Sequence, residues 1–150
     1  MNLWKLLHDT RQLHEQMLKS SLGHRNTAGS CAYAAFLLNE SIKRWIPQMR
    51  SCVRGGDGEA DGGFFDAAGK GYGHYWVEVD DGQERWVADI TADQFGEAPI
   101  CLLRLADAAN RYVPGDEEYV REQMEVFAAW LEETAGSADA DPELEVSGSS

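Results

Sequence analysis

The chain has 150 residues, 43% of them apolar, and a formal net charge of −13. That length supports one domain with its own core, and the charge speaks against nucleic acid and anionic membrane surfaces as partners. Three cysteines without a C-x-x-C pair argue against a disulfide framework and a thiolate zinc site. No apolar run reaches the length of a membrane span and the first 18 residues are amphipathic rather than signal-like, so a cytoplasmic location is expected.

Residues 2–22 read as a helix with Leu3, Leu6, Leu13 and Met17 on its apolar stripe and Arg11 largely off it. His8 and His14 lie on this helix with no ligand-spaced partner and are expected to be surface or satisfied residues. Gly23 stops the helix, and a loop from His24 leads to a second helix from about Ser30 to Trp45, ended by Pro47. Ala35, Leu38, Ile42 and Trp45 share one face of it, and Cys31 lies on that face in the first turn. Unpaired backbone N–H groups at a helix start favour a thiolate and can stabilise a developing oxyanion. An isolated cysteine there would read as a small buried hydrophobe. His74 and Asp89 change that reading.

Met49 to Arg54 predicts a short strand. Residues 55–73 hold eight glycines, several acids and the exposed-looking pair Phe64-Phe65, and predict a mobile acidic loop that borders the site and contributes Phe64 and Phe65 to substrate contact. The loop fails as an EF-hand because Ala68 stands where a bidentate Glu is required. It also fails as a phosphate-binding loop, since the glycine spacing is wrong and no Ser or Thr follows Lys70.

His74 to Val79 and Glu84 to Thr91 predict a β-hairpin. A turn centred on Asp81-Gly82 pairs Glu78 with Arg85, Trp76 with Val87 and His74 with Asp89, and the opposite charges of the first pair favour that register. Ile100 to Leu105 predicts a further strand, with Cys52 and Cys101 as core residues. Asp116 is the expected N-cap of a last helix whose stripe is Val120, Met124, Phe127 and Leu131. Residues 1–135 are expected to form the domain and residues 136–150 a disordered acidic tail.

A Cys at a helix start, a His at a strand start and an Asp opposite it are the residue types of thiol nucleophilic catalysis. The imidazole takes the thiol proton and returns it to the leaving group, while the carboxylate holds the ring's tautomer. The same types can bind zinc, but the helix-end placement suits a nucleophile better. Gly73-His74-Tyr75-Trp76-Val77-Glu78 followed by Ala88-Asp89-Ile90-Thr91-Ala92-Asp93-Gln94-Phe95-Gly96, with Gly29-Ser30-Cys31 upstream, resembles the transglutaminase-like branch of the papain-like cysteine enzymes, in its small bacterial and phage form. The resemblance covers roughly residues 26–96. It implies an α+β fold with N-terminal helices on a small antiparallel sheet and a C-terminal helix. It also implies Cys31 as nucleophile, His74 as base and acid, and Asp89 as orienter.

Papain carries Trp after its nucleophile and Gln six residues before it, where this chain has Ala32 and Arg25, so Asn26 and Gln94 are the candidate oxyanion donors beside the Cys31 N–H. The expected activity is a cysteine peptidase, amidase or transglutaminase-like acyltransferase acting on a peptide, protein or small amide, with no cofactor or metal. Hydrolysis is favoured because nothing marks an amine-acceptor site. The alternative is a non-catalytic protein-binding module on the same fold. The oligomeric state stays open.

Overall fold

The computed structural model describes residues 2–22, 31–58 and 61–139, with the side chains of 20–22 and 134–139 left aside. The chain runs α1 (Leu3–Leu22), α2 (Cys31–Trp45), β1 (Arg50–Gly56), β2 (Gly63–Phe65), β3 (Gly71–Tyr72), β4 (His74–Asp80) and β5 (Arg85–Asp89). A 3-10 turn (Ala92–Phe95), β6 (Cys101–Arg104), α3 (Leu105–Ala108), β7 (Tyr112–Val113) and α4 (Glu117–Asp139) complete it. One antiparallel sheet has the order β1-β4-β5-β6 and a second has β3-β2-β7. The architecture is therefore mixed helix and antiparallel sheet, and among the described residues no helix is long and apolar enough to cross a membrane.

Alternation along the strands separates two apolar cores. Val77, Val79 and Ala88 meet the helices, where Leu6, Leu7, Ala35, Leu38 and Ile42 are buried. Trp76 and Val87 point the other way and pack with Phe64, Ala108 and Tyr112. His74 and Asp89 share the parity of Trp76 and Val87, so they belong to this second face.

Several expectations change. Trp45 is exposed, and Ile46, just past the end of α2, takes the buried place. On α1 the buried side chains are Leu3, Leu6, Leu7, Thr10, Arg11, His14 and Leu18, while Leu13 is exposed. The helix is rotated relative to the expected stripe because Arg11 has a buried task. Its guanidinium grips both carboxylate oxygens of Asp93 at 3.0 Å, donates to the Ile90 carbonyl at 2.7 Å and reaches Glu15 at 2.8 Å. A planar fork matched to a carboxylate in this way orders the chain segment just after Asp89. His14 is buried as well, and its pKa is lowered by burial and then by the nearby Arg11 charge. Cys52 and Cys101 are half-buried rather than core residues.

Residues 55–73 are not a solvated loop. They contain the end of β1 and all of β2 and β3, and Phe64 is buried while Phe65 is half-buried. The glycines allow backbones to approach: a Cβ at Gly62 would run into the Val113 carbonyl, and one at Gly71 into that of Gly58. Asp116 caps α4 as expected, its carboxylate accepting from the N–H groups of Glu118 at 2.9 Å and Tyr119 at 3.3 Å. The helix runs on to Asp139, four residues into the segment expected as a tail. Residues 140–150 lie outside the described residues.

Candidate active site

Cys31 opens α2 and is buried. His74 opens β4 with its side chain fully buried, and Asp89 closes β5 at 1% exposure. The hairpin register differs from the expected one by two residues: Asp80 pairs with Arg85, Val79 with Trp86, Glu78 with Val87 and Val77 with Ala88. The turn is centred on Gly82-Gln83, with Gly82 at a φ of 94°. Asp81 accepts from the backbone N–H of Gln83 at 2.8 Å and of Glu84 at 2.7 Å, and its own N–H donates to the Glu84 carbonyl. Glycine at the first central position, where positive φ is needed, decides the turn over Asp81-Gly82. A slip of two preserves side-chain parity, so His74 and Asp89 stay on one face as diagonal rather than direct neighbours.

They meet. His74 Nε2 lies 2.7 Å from Asp89 Oδ2. The carboxylate is held from four directions: Tyr112 Oη donates to Oδ2 at 2.8 Å, the Thr91 N–H to Oδ1 at 2.9 Å, the Thr91 hydroxyl to Oδ1 at 3.4 Å, and His74 completes the set. Burial pushes the Asp89 carboxyl up, but the His74 charge and these donors outweigh it and the pKa is lowered. Burial likewise acts to lower the His74 pKa, yet the Asp89 charge and hydrogen bond, joined by a hydrogen bond with Cys31, raise it to about 9. Aromatic rings enclose the imidazole: Phe95 stands edge-on at 4.8 Å between centroids, and Trp76 lies at 6.1 Å.

With Nε2 on Asp89, Nδ1 is the ring nitrogen left to face the thiol. Gln94 Nε2 is 3.3 Å from that Nδ1 and donates to the Thr91 carbonyl at 3.1 Å. Gln94 thus stands beside His74, whereas Asn26 lies outside the described residues. Phe64 forms part of the wall, its ring edge-on to His74 at 6.2 Å, while Phe65 has no contact with the triad among those described. No group of His, Cys, Asp or Glu able to hold a metal occurs among the described residues.

Two supports escaped sequence reading. Tyr112 comes from β7, 23 residues beyond Asp89, and Arg11 from α1; nothing local in either segment names its partner. Replacing Tyr112 with Phe should keep the core filled but remove one donor from a buried carboxylate. A loss of about 2 kcal/mol in urea unfolding is expected. Tyr119→Phe on the exposed start of α4 should leave the midpoint unchanged. Equal midpoints for all three proteins would show that the Tyr112 hydroxyl does not hold Asp89.

No family model, curated protein or solved structure matches the chain.

Proposed function

We propose that the protein is a cysteine-dependent hydrolase or acyltransferase acting on an amide bond, built on a transglutaminase-like variant of the papain-like core. The observation that carries this reading is the buried imidazole of His74, hydrogen-bonded through Nε2 to Asp89 at 2.7 Å, with Cys31 at the start of a helix among the groups that raise its pKa. Such an arrangement supplies a nucleophile, a proton carrier and an orienter in one line.

In this mechanism His74 Nδ1 takes the thiol proton and Cys31 Sγ attacks the amide carbonyl carbon. The resulting oxyanion is met by the Cys31 backbone N–H and the Gln94 side-chain amide, which lets go of Nδ1 as the thiol proton arrives. His74 then protonates the departing amine, the C–N bond breaks, and a thioester remains on Cys31. Water or a second amine attacks the thioester, giving up its proton through His74, and the thiol is restored. Asp89 keeps Nε2–H pointing at itself throughout, so Nδ1 always faces the sulfur.

Incubation with a pool of peptides and small amides, followed by intact-mass measurement under acid quench, should reveal an acyl adduct on Cys31 that is absent from Cys31→Ser. Absence of any adduct from a pool that includes activated acyl donors such as p-nitrophenyl acetate would reject the enzyme. The non-catalytic binding module would then be the better reading. It draws on one observation, the open apolar cleft formed by Tyr33, Val126, Phe127 and Trp130.

A further inference from the structure

Next to the catalytic line lies a cleft of about 270 Å³ walled by Phe64, Asp66, Tyr72, Gln94 and Phe95. We propose that this cleft receives a positively charged group of the substrate adjoining the scissile amide, held between aromatic faces and the Asp66 carboxylate. The inference rests on Cys31 being the nucleophile, because Gln94 in the wall is what joins the cleft to His74 Nδ1.

The lining has the chemistry of a cation site. Phe64 and Phe95 close the back of the cleft by covering each other's faces, centroids 4.4 Å apart and planes 2° from parallel. The half-buried Tyr72 ring, tilted against Phe95 at 5.4 Å, is the aromatic face beside Asp66. Asp66 stands beside these rings. Its Oδ1 accepts the backbone N–H of Ala68 at 2.9 Å and of Lys70 at 3.0 Å, and its Oδ2 accepts the Tyr72 hydroxyl at 3.1 Å. The Lys70 N–H and these companions lower the carboxyl's pKa, so the group is anionic across the neutral range.

Aromatic faces beside a fixed carboxylate attract ammonium and guanidinium groups. The molecule already demonstrates the fit: the exposed Lys70 places its own Nζ over the Tyr72 ring at 5.3 Å. None of the five residues of the wall is basic. A net charge of −13 draws cations toward the surface in the first place. A substrate ammonium entering the cleft would displace the exposed Lys70 ammonium and take over its contact with the ring.

The test compares methanethiosulfonate reagents of equal size, one ending in an ammonium (2-aminoethyl) and one in a hydroxyl (2-hydroxyethyl). The thiolate displaces methanesulfinate from either and forms a mixed disulfide, read out site by site by peptide mass. The ratio of cationic to neutral rates at Cys31 should fall about three- to tenfold in Asp66→Asn. The asparagine keeps an Oδ1 for the Ala68 and Lys70 N–H groups, so the turn is preserved. Lys70→Gln, which removes the resident cation, should raise the ratio, and the ratio at Cys52 should stay constant in both variants. An unchanged ratio at Cys31 in Asp66→Asn, with fast labelling retained, would overturn the subsite alone. Labelling of Cys31 no faster than Cys52 by either reagent would instead overturn the catalytic reading, and the subsite with it.

Discussion

Asp89→Asn should fold and yet lower turnover of any amide that acylates Cys31 by about four orders of magnitude. The carboxylate accepts at both oxygens, from His74 and Tyr112 at Oδ2 and from Thr91 at Oδ1. Asparagine can keep the Thr91 bond with its carbonyl oxygen, which leaves its NH2 group facing His74 Nε2. Two donors cannot face each other, so the imidazole moves its proton to Nδ1, and a protonated Nδ1 cannot take the thiol proton. Glu78→Ala provides the control. Glu78 lies on the same strand face and pairs with Arg54 at 3.4 Å and Arg85 at 3.9 Å, away from the triad. Its loss should change turnover little. Equal losses in the two variants, at equal melting temperatures, would show that Asp89 serves the fold and not the imidazole.

The second large effect concerns reactivity against pH. Because the Asp89 charge and hydrogen bond raise the His74 pKa to about 9, His74 is a strong base toward the Cys31 thiol, and proton transfer to Nδ1 sets a cation beside the sulfur. Iodoacetamide should therefore label Cys31 rapidly at pH 6 to 7. Cys52 and Cys101 should lag, since burial raises the pKa of both, that of Cys101 to about 11. Removing the cation by His74→Ala should slow Cys31 labelling at pH 7 about tenfold or more. Uniform rates at the three cysteines of the native protein would reject Cys31 as an activated nucleophile.

The His74–Asp89 pair has a stability signature of definite sign. A histidine whose folded pKa is raised above its ordinary 6.5 contributes stability that is complete below that value and is lost as pH rises through about 9. Asp89 acts in the opposite direction. With its folded pKa lowered, its contribution is present above the ordinary carboxyl value and is lost as pH falls through the folded one. His14, whose pKa is lowered by burial and then by the Arg11 charge, adds to the acid-side loss, since the unfolded chain takes up its proton more readily as pH falls through 6.5.

The places of Cys31, His74 and Asp89 were legible in the chain because each sits in a segment whose periodicity declares its element: a helical stripe after Cys31, alternation from His74, alternation ending at Asp89. Gln94 sits in a 3-10 turn that no periodicity announced. Even the misplaced turn did little harm. Side chains alternate with a period of two, so a slip of two residues kept His74 and Asp89 on one face. Asp116 as a cap was equally readable, since a cap is a bond to residues two and three positions away.

What the sequence could not decide was everything that depends on segments distant in the chain. The glycines of residues 55–73 suggested a mobile loop. Glycine serves flexibility and close backbone packing alike, and only the presence of β7 and β1 alongside selects the second. Arg11 looked like a surface helix residue, and nothing local singled out Tyr112. Their tasks exist only once α1 and β7 have been brought against the segment around Asp89. Local pattern by itself determined the long helices, the strand before Gly55, the β4–β5 hairpin and the candidate residue types, because a side chain's spacing is a property of its own helix or strand. Tertiary structure alone decided which distant groups hold the triad in place and where the cleft beside it opens, because those depend on partners that no spacing encodes.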